Sequence, residues 1–253
     1  MSFSIGKQRI IIPIVFHGIV SGNKEKSFTD IGESSFKRIV EFCKNQTITD
    51  VSASERSSGA SFLLTFDDGL SSDYNIAMPL LKRVGERGVF FIISEFIGKP
   101  GYMTKSEIRG LVEEGMEIGS HTHSHANLLE IGEYAARNEL SYSKKLIEDI
   151  IGQSVNKFSF PFGKLNLRLV RIANEEGYRQ TFGSFHGVIS CNKSVYPRNS
   201  INAAMNWNDI RATLLASKKT RVRWKIEDKL KFVLKKCFGD EKYRTIRDKI
   251  LGT

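Results

Sequence analysis

Apolar positions in this chain come in short blocks. Six of them stand out: IIIPIVF (10–16), SFLLTF (61–66), GVFFIIS (88–94), MEIGS (116–120), KFSF (157–160) and RQTFG (179–183), each bounded by Gly, Ser or charge. Short runs with little polar alternation are the mark of strands buried on both faces, as in parallel sheets. Helical spacing fills the intervals. The clearest helix start is TKSE at 104–107, where Thr104 can cap and Glu107 can close a capping box, and Asn166 and Asn206 are suited to cap two later helices. The alternation runs to about residue 216, an element boundary good to a few residues, and predicts an α/β chain built on a parallel sheet.

Beyond that point the pattern changes. Ser217 to Thr253 holds thirteen Lys and Arg against five Asp and Glu, so +8 of the formal +10 lies in the tail and only +2 in the rest. Val222, Ile226, Leu230 and Val233 follow helical spacing there, and Trp224 and Phe232 add apolar bulk among the lysines. The expected organisation is a domain over 1–216 and a basic amphipathic helical extension over 217–253. Such a tail is either a helix covering the domain or a peripheral attachment to an anionic membrane surface. No nucleic-acid partner is expected, because no binding motif accompanies the charge.

Composition sharpens this only a little. With 253 residues and 40% hydrophobic content the chain can bury a full core, and nothing in the sequence specifies its oligomeric state. Cys43, Cys191 and Cys237 are odd in number and far apart, which suits a reducing compartment better than a disulfide framework. Lys7 and Arg9 precede the run 10–16, but that run is short, contains Pro13, ends before His17 and lacks a cleavage site, so it predicts a strand and no export signal. The expected location is cytoplasmic, with peripheral association at the inner membrane surface through the tail. Neither a P-loop nor a GxGxxG fingerprint is present.

In parallel α/β folds the loops leaving the C-terminal ends of strands form the active face. Three motifs sit there. TFDDG (65–69) places two adjacent carboxylates at a strand end, one able to ligate a metal while the other faces the reacting water. GSHTHSH (119–125) puts three of the five histidines within five residues, and the i, i+4 spacing of His121 and His125 suggests two imidazoles on one side of a helical turn, with His123 pointing elsewhere. A carboxylate and two imidazoles make the three-ligand set that leaves a catalytic zinc an open position. FSFPFG (158–163) reads by itself only as a fixed turn.

The order and character of these segments resemble the polysaccharide deacetylase family, carbohydrate esterase family four, whose conserved unit is the NodB-homology domain. TFDDG is similar to its first motif, HTHSH to its H-[ST]-x-x-H second motif and FPFG to the end of its third. The resemblance implies a distorted (β/α)7 barrel, here with a basic helical tail. It also implies that Asp67 is the general base, that Asp68, His121 and His125 hold a divalent metal (zinc, with cobalt or nickel as alternatives), and that the backbone N–H of Phe162 is the oxyanion donor.

Two positions depart from the family pattern. The arginine that opens the third motif is Ser159 here, and Arg198, in YPRNS, is the proposed replacement for orienting the catalytic carboxylate. The late histidine that protonates the leaving amine has no match, which leaves His17 and His186. His17 is preferred, since FHGI ends the first strand and resembles the N-terminal YH motif of the family's biofilm-polysaccharide branch. The expected activity is metal-dependent removal of an N-acetyl group from an amino sugar in a glycan or glycan precursor. The alternatives are an O-acetyl esterase or small-amide hydrolase of the same fold, and a catalytically silent sugar-binding relative.

Overall fold

All six predicted apolar runs form strands, trimmed or extended by a residue or two. In chain order the strands are β1 (Ile10–Phe16), β2 (Ile19–Val20), β3 (Ile31–Gly32), β4 (Ala60–Phe66), β5 (Val89–Ile92), β6 (Glu117–Ser120), β7 (Lys157–Ser159), β8 (Gln180–Phe182) and β9 (Asn199–Ser200). The helices are α1 (Glu33–Cys43), α2 (Met78–Val84), α3 (Lys105–Glu113), α4 (Glu133–Ile151), α5 (Leu167–Glu175), α6 (Trp207–Leu215) and α7 (Lys218–Leu251). The computed structural model describes residues 10–22, 27–47, 49, 60–189 and 194–251. Lys7, Arg9 and Cys191, which entered the sequence reading, lie outside them. The capping expectations hold: Thr104 and Glu107 form the full capping box, Asn166 accepts from the N–H of Leu169, and Asn206 accepts from those of Asn208 and Asp209.

Seven strands form one sheet in the order β8-β7-β6-β5-β4-β1-β9, every neighbouring pair parallel, while β2 and β3 pair separately. The sheet curls into a half-barrel of the predicted (β/α) type, and the segment after β8 draws its edges together. Ile189 bridges Ile11 near the start of β1, Tyr196 bridges Phe182 of β8, and three residues later β9 pairs with Ile14 and Val15 of β1. β2, β3 and β9 were not predicted. Two residues carry no periodicity: β9 forms on the ladder that the longer β1 offers, and β2 and β3 pair only with each other.

The two faces of the sheet explain what the strand ends deliver. Phe62, Leu64 and Phe66 of β4 pack with Phe16, Phe36 and Phe90 in the core beneath the helices, whereas Leu63 joins Ile11, Val89, Phe91, Phe182, Ile189 and Tyr196 in the barrel interior. Phe66 is stacked between Phe16 and Phe90, at ring-centroid distances of 5.3 and 4.5 Å. Buried rings of this kind each contribute about 1.5–3 kcal/mol through lost contact with water, and here they stiffen the strand just before the acidic pair. Carrying the alternation from Leu63 through Thr65 brings Asp67 onto the interior side.

On α7, Trp224 lies apart from Val222, Ile226, Leu230 and Val233: it is buried against the domain, while those four stay exposed. At about 100° per residue, position 224 falls nearly opposite the stripe.

Candidate active site

β4 ends on the acidic pair. The N–H of Asp67 donates to the carbonyl of Phe16 at 3.0 Å, which extends the β1–β4 register by one step and holds Asp67 in line, only 2% exposed. Asp68 then takes a left-handed backbone (φ 76°), followed by Gly69 at φ 71°, and this turn sends the second carboxylate to a different, half-buried place.

The histidine segment after β6 does not form the helical turn that its i, i+4 spacing suggested. Thr122 and His125 both adopt left-handed φ angles, 68° and 63°, and the chain is an irregular loop. Side chains acting as backbone partners hold it in that shape. Thr122 Oγ1 accepts from the N–H of His125 at 3.0 Å, and Glu139 of α4 accepts from the N–H groups of His123 and Ser124 at 2.9 and 2.8 Å. His123 turns away as expected, its Nδ1 2.9 Å from Ser94 Oγ and its ring edge-on to Tyr142.

This loop brings His121 and His125 against Asp68. Their Nε2 atoms stand 3.5 and 3.6 Å from Asp68 Oδ1, and one ligand atom from each of the three residues lies within 4.8 Å of the others. Tetrahedral ligands bound at about 2.0–2.2 Å are spaced by roughly 3.3–3.6 Å, so the set fits a divalent metal such as zinc. The donor chemistry agrees. His121 Nδ1 is 2.8 Å from the carbonyl of Ser159, which can only accept, so the ring proton sits on Nδ1 and the Nε2 lone pair is left for a metal.

Beside this triangle Asp67 is clamped by Arg198. Nη1 and Nη2 donate to Oδ1 and Oδ2, each at 2.7 Å, while Nη2 also donates to Ser159 Oγ at 2.7 Å and Nε to the carbonyl of Gly183 at 3.0 Å. Ser159 Oγ in turn donates to Asp67 Oδ2 at 3.2 Å. The guanidinium is fully enclosed and reaches the site because residues 196–199 cross between the β8 and β1 edges. The serine in the place of the family arginine thus leaves room for an arginine arriving from the opposite edge, and bonds to it. Burial pushes the Asp67 carboxyl upward, but Arg198 and His121 outweigh it and hold the group well below the ordinary carboxylate range.

The remaining expected residues divide. His17 follows Phe16 on β1, level with Asp67 on the adjacent strand, and its buried Nδ1 has no hydrogen-bond partner among the described residues. Phe162, left-handed at φ 59° in the turn Pro161–Gly163, packs its ring at a tilt against His125, with ring centroids 4.6 Å apart. His186 is engaged elsewhere: its Nδ1 is 2.8 Å from Asp228 of α7 and its ring stacks on Trp224. Of the six non-glycine residues with positive φ among those described, Asp68, Thr122, His125 and Phe162 belong to this one site, the local strain that strand-end centres commonly carry.

Sequence reasoning missed Asp73. It is fully buried, one oxygen accepting from the N–H of Leu70 at 3.1 Å and the other without a partner among the described residues. Burial first, then the Asp68 carboxylate, raises its pKa well above the usual Asp value. The folded chain therefore keeps a proton that the unfolded chain releases above about pH 4, and stability falls as pH rises from there through the raised pKa. Asp73→Asn retains the acceptor for Leu70 and removes this dependence. In thermal melts of the metal-free protein it is expected to raise Tm by about 2–4 °C at neutral pH, corresponding to ~1 kcal/mol, with no gain near pH 3.5.

A clamped carboxylate beside an Asp–His–His triangle, at the strand ends of one curled parallel sheet, has the make-up of a hydrolytic centre. The sequence profile of the polysaccharide deacetylase family matches residues 54–181, just over half of the chain, and the chain belongs to that family, whose members remove acetyl groups. It is 26% identical over 200 residues to YxkH of Bacillus subtilis (strain 168), covering 76% of this chain and 70% of that one. It is also 29% identical over 168 residues to the peptidoglycan-N-acetylglucosamine deacetylase PgdA of Listeria monocytogenes (strain 10403S), covering 65% of this chain but only 34% of PgdA. In fold it resembles the Streptococcus pyogenes deacetylase PplD solved with acetate, with a TM-score of 0.74 at 19% identity over 82% of this chain and 99% of that one.

Proposed function

We propose that this protein removes the N-acetyl group from an amino sugar in a glycan or glycan precursor, releasing acetate and a free amine. Asp68, His121 and His125 would hold a divalent metal, zinc in the first instance. The observation that carries this reading is the Asp67 carboxylate, clamped by Arg198 and set 3.9 Å from His121 Nε2 at the edge of the ligand triangle. When bound, a metal there supplies Lewis acidity toward the acetyl carbonyl and makes water easier to deprotonate.

In this reading Asp67 takes the proton from the attacking water. Arg198 and Ser159 keep its carboxylate in one orientation as charge moves away from it. The backbone N–H of Phe162 donates to the oxygen of the tetrahedral intermediate, and the left-handed turn at Phe162 places its ring as a wall beside His125. His17 gives a proton to the departing amine. An amine cannot leave unprotonated, so this step should matter for amides far more than for esters with good leaving groups.

That difference provides the test. Wild-type protein is expected to release acetate from N-acetylated amino sugars, and His17→Asn to slow this by roughly 10²–10⁴-fold while leaving hydrolysis of an aryl acetate nearly intact. Acetate release from O-acetylated sugars alone would instead make the protein an esterase, and equal loss on both substrate types would remove the acid role from His17.

A further inference from the structure

Two independent features meet on α7, neither belonging to the catalytic centre. The first is an apolar stripe. Val222, Ile226, Leu230 and Val233 are 58%, 63%, 55% and 45% exposed and recur at spacings of four, four and three, so they fall within one narrow arc of the helix. The stripe runs for about 16 Å at 1.5 Å per residue. The second is a cavity of about 580 Å³ at the junction of α7 and the domain, lined by His186, Lys218, Arg221, Trp224 and Lys225 with Val222 at its rim. None of its three Lys and Arg side chains has an ion-pair partner among the described residues.

The angular order of these features is informative. At about 100° per residue, Trp224 and Asp228 define the docked face, Arg221, Lys225 and Lys218 come next around the helix, and Val222 to Val233 follow nearly opposite the docked face. The contacts agree: Trp224 is buried on His186, and Asp228 accepts from both the ring and the backbone N–H of His186. The helix is therefore fixed to the domain by one side while presenting apolar residues flanked by unpaired cations on the other.

We infer that α7 docks this protein onto an anionic phospholipid surface, the Val222–Val233 stripe entering the acyl boundary and Lys218, Arg221 and Lys225 receiving headgroup phosphates. Charge selects this occupant. The tail carries +8, so a second copy laid along the same stripe would bring like charge against like, whereas a bilayer of acidic lipids offers both the apolar layer and the counter-charge. No described helix is long and apolar enough to cross a membrane.

The test uses the full chain and vesicles of phosphatidylcholine with or without about a third phosphatidylglycerol, a composition that sets the surface charge. Wild-type protein is expected to sediment with the anionic vesicles only, and high salt should weaken this binding. Ile226→Glu/Leu230→Glu is expected to lower the partition coefficient by about tenfold or more, and Lys218→Glu/Lys225→Glu to do the same. Both pairs are exposed, so the fold and turnover of a soluble acetylated sugar should be unchanged. Equal binding to neutral vesicles, binding by the variants as strong as wild type, or no vesicle binding at all would overturn the inference. So would a wild-type dimer that dissociates in Ile226→Glu/Leu230→Glu, since the stripe would then be a self-association face.

Discussion

Arg198→Met is expected to lower both stability and turnover. The guanidinium and the Asp67 carboxylate are both buried and joined by two 2.7 Å bonds, so removing the cation strands a charge in the barrel interior. Breaking a buried pair in this way costs about 3–5 kcal/mol, a fall in Tm of roughly 6–20 °C for a chain of this size. The catalytic consequence has a definite sign. Without Arg198, burial becomes the dominant influence on Asp67 and its pKa rises, so the acidic limb of the kcat/KM profile should move to higher pH. Arg198→Lys, which keeps the charge but not the paired bonds, should fall between the two in Tm and in the position of that limb. A variant that lost stability while keeping an unshifted pH profile would make Arg198 a structural residue only.

Asp67→Asn should have the largest catalytic effect, together with a loss of stability, because it leaves the buried Arg198 guanidinium without its counter-charge. Asparagine keeps the shape, but only its oxygen can still accept from Arg198 and it cannot take a proton. Turnover is expected to fall by roughly 10²–10⁴-fold. The metal should stay, because the ligand triangle is Asp68, His121 and His125. Metal content measured on the purified variant decides the matter: one equivalent retained fits the assigned roles, and its loss would make Asp67 a ligand. Asp68→Asn, His121→Ala and His125→Ala should each weaken metal binding instead.

The sheet was legible because six of its strands are apolar blocks that declare themselves without tertiary context, and the strand-end positions of TFDDG, the histidine segment and FSFPFG followed from them. The pairing of Asp68 with His121 and His125 was legible as chemistry but not as geometry. The sequence suggested a helical turn, whereas the loop is set by left-handed Thr122 and His125 and by Glu139, a helix residue 14 positions beyond His125 with nothing to mark it. Arg198 could be named only as the arginine a buried carboxylate needs. What places it is the crossing from β8 to β1 through Tyr196 and the two-residue β9, which have no pattern of their own. Asp73 was invisible for a similar reason, since its neutral state depends on burial and on the fold bringing Asp68 near.

The most direct test is acetate release from a panel of N-acetylated sugars, free, nucleotide-linked and oligomeric, by protein stripped of metal and then reloaded with zinc or cobalt. The account predicts no release from the stripped protein, release restored at one metal per chain, and none from reloaded Asp67→Asn. Failure to release acetate from any substrate while one metal is tightly bound would contradict it, and would point to a sugar-binding relative that keeps the centre without the chemistry.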